Sequence, residues 1–393
     1  MEFRNGWSGR SHDYSQKAID AVVEVMKHGD PQTQGKYLKQ FEAAFSNYTK
    51  AVHCFGVTNC THALELIADL TGLKPGDEVI IPGHTYCASA IPFGRSGATI
   101  KWADIDPETF EVSLDSIKSL CTNKTKLIVV VHLYGMMCDI GPIADFAKEK
   151  SIFLAEDCAQ SLGAFKDGQS CGTFGDFGAF SFHAQKNITT MGEGGMLVVK
   201  DEKLASLVPG IRHNGHKPFS NQTDYWRPAM SNVDLDIEGM WPHNFSLSEA
   251  QAAVGAVLLG ELNEMREARC KRSQLFIEQL SSFDELVFQK NIDPLSHSHH
   301  LLVARYDGEK TGKSNHNLIR ILSNDFGIKV IVQYYPLYRY DLFQKMGFGD
   351  ADCPLTDYFF DNMISFPFHI WMSDDDFEYM IESTKKALTQ LRG

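Results

Sequence analysis

The chain has 393 residues, 43% hydrophobic and 22% charged, an ordinary balance for a globular protein with room for about two domains, and its net charge of −13 argues against nucleic acid as the main partner. Its nine cysteines are odd in number, scattered, and never spaced as C-x-x-C, which reads as free thiols in a reducing compartment rather than a disulfide framework. No run reaches the ~18 apolar residues of a membrane span, and the opening MEFRNGWSGRSHDYSQ has no apolar signal core, so the expected setting is cytoplasmic, without a membrane partner.

Along the chain, short apolar runs alternate with longer amphipathic ones. Strands are predicted at Val52–Val57, Glu78–Ile81, Thr99–Ala103, Lys126–His132, Ile152–Glu156, Gly178–Phe182 and Gly195–Val199. Helices are predicted between several of them, at Thr61–Thr71, Tyr86–Arg95, Ser113–Leu120 and Pro142–Lys150. A strand buried on both faces reads as a continuous apolar run, and LIVVVHL is one. The alternation predicts an α/β fold with a mostly parallel sheet covered by helices on both sides. The segment Asp201–His243 has weak periodicity and many Trp, Pro, Asn and His residues, and is expected to be irregular and functional. Ser248–Ser281 reads as one long helix or two joined ones, with Glu249 and Glu264 on polar faces. Strands at His300–Tyr306 and Lys329–Val332 and helices at Asn315–Phe326 and Asp374–Leu391 then suggest a smaller α+β unit. The expected division is a large domain over 1–247 and a small C-terminal domain over 248–393.

Four segments carry chemistry. In VTNCTHALELI a strand ends in small polar residues, including Cys60 and Thr61, before a helix; backbone N–H groups there suit a phosphate, although any helix cap looks similar. In PGHTYCASA, Tyr86 follows a strand, where its ring could stack on a planar cofactor or simply fill the core. IFLAEDCAQSLGA places Asp157 and Gln160 just past a buried strand, at the end where open α/β sheets bind ligands; Asp157 would equally serve as a helix cap. FSFHAQKNITTMGEGG delivers Ser181 and then Lys186 between apolar residues and a glycine-rich turn. A partly desolvated lysine has a lowered pKa and a nucleophilic amine. A phosphate turn, a stacking aromatic, an acid at a strand end and a later lysine are together the parts that pyridoxal 5′-phosphate (PLP) requires.

The segments PGDEVIIPGHTY, ADIDPETF, VHLYG, AEDCAQSLGA, FSFHAQKNITTMGEGG and NFSLSEAQAAVG resemble the DegT/DnrJ/EryC1/StrS sugar aminotransferases, over about Gly35 to Leu388. The resemblance implies the fold type I aminotransferase architecture, with a seven-stranded, mostly parallel sheet in the large domain. It implies that Lys186 binds PLP covalently, Asp157 pairs with the pyridine nitrogen and Gln160 lies near the phenolic oxygen. It further implies phosphate ligands at Thr61 and Ser181, with Cys60 in the same turn, and a ring stacked by Tyr86. Asn244 matches a residue that reaches the phosphate held by a neighbouring subunit, which implies a homodimer with shared active sites. Three positions depart from the family: Cys60 stands for a usual Gly, Ser246 for a common Arg, and Tyr338 for a frequent His. The last two are expected near the substrate.

A branch of sugar dehydratases in this family carries His in place of the lysine, so Lys186 favours amino transfer over dehydration. A PLP-binding regulator would usually add a DNA-binding module, and none is visible. No G-x-G-x-x-G follows a strand, which disfavours a nicotinamide enzyme. His297, His299 and His300 lack an acid or cysteine at metal-site spacing, so no metal is expected. His213 and His216 are expected to line the substrate mouth or satisfy a loop. The implied partners are an amino donor, glutamate or glutamine, and a keto- or aldehydo-sugar: a nucleotide-linked keto-hexose, an inosose, or an aldehydo-octulosonate. The octulosonate is preferred, its product being 8-amino-3,8-dideoxy-manno-octulosonate of lipopolysaccharide, with Arg212 and Arg227 available to its carboxylate.

Overall fold

In the computed structural model, which describes residues 3–9, 13–217, 219, 231–235, 237, 239–291 and 293–393, the seven apolar runs assemble into one sheet. Its strands are β1 (His53–Val57), β2 (Glu78–Pro82), β3 (Thr99–Ala103), β4 (Thr125–Val131), β5 (Phe153–Asp157), β6 (Phe177–Ser181) and β7 (Gly195–Val199), each within two residues of its predicted ends. They lie in the order β1-β7-β6-β5-β4-β2-β3, with β7 antiparallel to both neighbours and the remaining pairings parallel. Every residue of β2, β6 and β7 is buried, the pattern of strands covered on both faces.

One face is covered by α1 (Gln16–His28), α2 (Lys36–Thr49) and α5 (Ile140–Lys150), together with the first half of α7 (Glu249–Gln279). Here Phe41, Phe45, Phe180 and Phe182 form a continuous aromatic cluster, with centroids 4.9–6.4 Å apart. The other face is covered by α3 (Cys60–Leu70) and α6 (Glu202–Arg212), while α4 (Leu114–Leu120), beside β3, packs with the first face through Ile117. α6 lies inside the stretch expected to be irregular. Asp201 caps it, and Pro209 within it obscures the helical signal in sequence. Among the described residues no helix is long and apolar enough to cross a membrane.

α7 runs unbroken for 31 residues and enters two cores. Leu258 and Leu262 pack with the large sheet, while Phe276 and Leu280 pack with β8 (Leu286–Phe288), β9 (Leu302–Tyr306) and β10 (Met363–Phe366), and with α8 (Asn315–Asn324) and α9 (Asp374–Arg392). β8 and β10 were not predicted; at three and four residues they are too short for periodicity to register. The strand predicted at Lys329–Val332 is instead an extended segment with one bridge, Ile331 to Ser365, because Trp7 occupies the carbonyl of Lys329. The predicted helix at Tyr86–Arg95 divides into a 3₁₀ turn at Cys87–Ser89 and a short helix at Ile91–Arg95, with Pro92 in its first turn.

Glu249 corrects a second expectation. It is completely buried rather than on a polar face. Its carboxylate accepts hydrogen bonds from the backbone N–H groups of Gly35 (2.8 Å), Tyr37 (2.7 Å) and Leu38 (3.3 Å), capping α2, whose own N-cap Gly35 has no side chain to do so. Glu249→Ala strands three buried donors and is expected to destabilise the protein by about 3 kcal/mol or more, with Glu249→Gln intermediate. Urea unfolding checks this, and an Ala variant matching wild type would contradict it.

Candidate active site

β5 and β6 are parallel neighbours with Asp157 opposite Ala179, so Asp157 and Ser181, their last residues, both lie at the carboxyl edge of the sheet. The cavity there has a volume of about 480 Å³ and is lined by Cys60, Thr61, Tyr86, Asp157, Gln160, Ser181 and Lys186. Seven of the eight residues expected at the site are therefore brought together. The eighth, Asn244, lies outside this cavity, exposed, on a single antiparallel bridge with His213.

Each wall has a local cause. α3 starts at Cys60, with Asn59 as its N-cap accepting from the His62 N–H at 2.9 Å, so the N–H groups of its first turn face the cavity. A Cβ on Gly195 would lie 2.5 Å from the Asn59 carbonyl carbon and 2.8 Å from the Cys60 nitrogen; only glycine lets β7 pass beneath this turn. Cys60 occupies an ordinary helical position and needs no glycine conformation there. Its buried thiol lies 3.9 Å from Asp157 Oδ1.

Asp157 is 4% exposed. Burial raises its pKa, opposed by the Ser89 hydroxyl donating to Oδ2 at 2.7 Å, the Ala159 N–H donating to Oδ1 at 3.0 Å, and the positive charge of Lys186. Desolvation lowers the pKa of Lys186, opposed by the charge of Asp157 and by Cys60 and Glu193. The cavity thus holds a carboxylate short of positive charge and an amine inclined to lose its proton.

Gln160 is held from both ends. Its Oε1 accepts from the Tyr134 N–H at 2.7 Å, and its Nε2 donates to the Tyr334 hydroxyl at 3.1 Å. The Tyr134 and Tyr334 rings are nearly parallel, 6.3 Å apart, and the Tyr134 hydroxyl donates to the Gln333 carbonyl at 2.8 Å. His84 Nε2 lies 2.6 Å from that hydroxyl. Tyr134 sits at φ 61°, and a Cβ on the next residue, Gly135, would lie 2.7 Å from the His300 nitrogen, which accounts for the VHLYG run. Sequence reasoning missed Ser89 and Tyr334. Ser89 lay in the PGHTYCASA segment already singled out for Tyr86; Tyr334, in the aromatic IVQYYPL run, comes from nearly 150 residues beyond Lys186.

The residues expected nearer the substrate are mostly absorbed into structure. Arg212 is buried, donating to Glu42 Oε1 at 2.7 Å and the Gly56 carbonyl at 2.8 Å; an ion pair inside the fold, not an open carboxylate site, uses its charge. Tyr338 lies in the core, with its hydroxyl on Asp357 rather than at the cavity. Ser246 Oγ lies 2.8 Å from His213 Nδ1, so both belong to a loop contact. Arg227 falls outside the described residues. His297 and His299 stack at 4.1 Å. Among the described residues, the group spaced for a metal is His132, Glu156 and Cys158. Its lone pairs are already used: Glu156 binds His132 Nε2 at 2.8 Å and accepts from the N–H groups of Gly172, Phe174 and Gly175, while His132 Nδ1 accepts from the Cys138 N–H.

Comparisons with known proteins agree with this geometry. Residues 12–385 match the model of the DegT/DnrJ/EryC1/StrS aminotransferase family. The chain is 31% identical over 369 residues to the spore coat polysaccharide biosynthesis protein SpsC of Bacillus subtilis, covering 93% of each chain. It is 32% identical over 327 residues to the L-glutamine:2-deoxy-scyllo-inosose aminotransferase of Streptomyces kanamyceticus, covering 81% of this chain and 75% of that one. The crystal structure of the aminotransferase TlmJ from Streptoalloteichus hindustanus superposes with a TM-score of 0.88 at 26% identity, covering 99% of this chain and 100% of that one. The chain belongs to the DegT/DnrJ/EryC1/StrS family of PLP-dependent sugar aminotransferases.

Proposed function

We propose that this sugar aminotransferase carries an amino group from glutamate or glutamine to the terminal aldehyde of a 3-deoxy-octulosonate, forming 8-amino-3,8-dideoxy-manno-octulosonate for lipopolysaccharide. The observation that carries the amino-transfer chemistry is one cavity holding Lys186, Asp157 and an anion-ready helix terminus. These residues fit PLP. The first turn of α3, with the hydroxyls of Thr61 and Ser181, supplies donors for a phosphate. Asp157, buried and short of positive charge, suits a protonated pyridine nitrogen. Gln160, fixed by Tyr134 and Tyr334, suits the phenolic oxygen, and Tyr86 suits the ring face.

When bound, PLP supplies the aldehyde that accepts an amine and the ring that withdraws electrons from the reacting carbon. The protein supplies the rest. Lys186 Nζ, with its pKa lowered by burial, would be the amine that holds the aldehyde and the base that moves a proton at the reacting carbon. Asp157 would face the ring nitrogen and favour its protonated form. Gln160, fixed by Tyr134 and Tyr334, would offer its amide to the cofactor's phenolic oxygen.

Ser246 and Tyr338, which stand where the family commonly has Arg and frequently His, weaken a nucleotide-linked sugar as the acceptor and so leave the octulosonate or a cyclitol. The likeness to an inosose aminotransferase favours a cyclitol as the second reading. A cytoplasmic homodimer completes the proposal, with the partner subunit's Asn244 reaching the cofactor phosphate; the exposure of Asn244 and Trp241 in a single chain supports this.

Two outcomes are expected. Asp157→Asn lowers turnover by at least ~10²-fold, yet leaves the cofactor-free protein as stable or more so at neutral pH. The wild-type carboxyl has a raised pKa when folded, so the native state binds its proton more tightly than the unfolded chain does. Stability therefore falls as pH rises through and above the ordinary aspartate value of ~3.9, a slope the Asn variant lacks. Urea unfolding across pH measures it, and an Asn variant markedly less stable at pH 7 would contradict it. The second outcome is amino transfer from glutamate or glutamine to the aldehydo-octulosonate in a coupled assay. Turnover confined to a nucleotide-linked keto-hexose or an inosose would rule out the octulosonate.

A further inference from the structure

Lys186 is shared by two cavities. Besides the one already described, a second of about 270 Å³ lies on the side of Lys186 facing the small unit. Its basic lining consists of Lys186, Arg269, Lys329, His183, His300 and His369, with no aspartate or glutamate among the described residues, in a chain that carries 50 acids. Arg269 projects from α7, is 2% exposed, and has no carboxylate partner among the described residues. Its Nη1 donates to the carbonyls of His299 and His300 at the long distances of 3.3 and 3.2 Å, and its buried Nε has no partner. Burial lowers its pKa to about 10, so it remains charged at neutral pH. A buried, charged guanidinium without a carboxylate partner, lining a cavity, is stabilised by an anion bound there. The cavity is at the small end for ligand sites, which suits a compact acid rather than a nucleotide diphosphate.

We propose that this second cavity is a carboxylate subsite of the active centre, in which the Arg269 fork seats a substrate carboxylate while the reacting carbon lies at Lys186. The proposal rests on the aminotransferase reading and extends it. Both the amino donor and a sugar acid bring a carboxylate; the subsite takes this shared group, and separate half-reactions identify its source. The planar fork matches a carboxylate through two parallel N–H···O bonds. The neighbouring histidines His300 and His369 have pKa values held low by burial, so they add neutral donors rather than further charge.

The test uses the PLP-loaded protein and Arg269→Gln. In the donor arm, conversion of the bound cofactor by L-glutamate or L-glutamine is followed by absorbance at varied concentration. In the acceptor arm, the aminated form is reacted with the aldehydo-octulosonate. Methylamine, which has no carboxylate, is the control, and binding of glutarate, a dicarboxylate that cannot react, is measured by calorimetry. Losing a charged hydrogen-bond pair should weaken glutarate binding and raise the half-saturating concentration by roughly 10- to 100-fold in at least one arm, while the response to methylamine stays unchanged. Loss in the donor arm assigns the subsite to the amino donor, and loss in the acceptor arm to the sugar acid. If the Gln variant does not take up cofactor, Arg269→Lys is read in the same way, with a smaller loss confined to carboxylates. Unchanged glutarate binding, or an equal loss for methylamine, overturns the subsite. Tight glutarate binding that depends on Arg269, with no amino transfer by the wild type, would leave the subsite standing and overturn the enzymatic reading instead.

Discussion

Asp157 and Lys186 carry opposite charges into one desolvated cavity, and each is pulled toward its neutral form by burial and toward its charged form by the other. For each, burial is the stronger influence. A cationic ring nitrogen beside the carboxylate and an aldehyde beside the amine would resolve both strains together. The rest of the fold holds these two groups apart at the right places. β5 and β6 end side by side, the α3 terminus lies above them, and Gln160 is fixed between two tyrosines.

The large sheet alone does not close the site. Tyr334 and the wall containing Arg269 and His300 come from residues far along the chain, brought in by α7 and the small antiparallel sheet. α7 is central to this arrangement. Glu249 in its first turn caps α2 in the large core, and Arg269, about five turns later, reaches the cavity beside Lys186. A rigid helix spanning both cores couples the position of the cavity beside Arg269 to the sheet that carries Asp157.

What could be read from sequence follows from which interactions are local. The central strands of the sheet are legible because burial on both faces makes them continuous apolar runs, as in β2 and β4. Lys186 and Asp157 are legible because their neighbours within a few residues are unusual company for a charge. Glu249 is not, since helical periodicity cannot reveal that another helix's N-terminus lies against it. Arg212 looks like a free cation in sequence, but Glu42, 170 residues away, pairs with it. Pro209 conceals α6, and the three-residue β8 exists only because β9 pairs with it. The roles of Ser89 and Tyr334 likewise depend on contacts across the fold, with partners 68 and 174 residues away.

The central claim is that the amine at position 186 bonds to a vitamin B6 aldehyde. Borohydride reduction of the purified, PLP-saturated protein, followed by peptide mass spectrometry, tests this most directly. The account predicts a phosphopyridoxyl group fixed on the peptide containing Lys186 and on no other lysine. An unmodified Lys186 in cofactor-saturated protein, or the label on a different lysine, would contradict it.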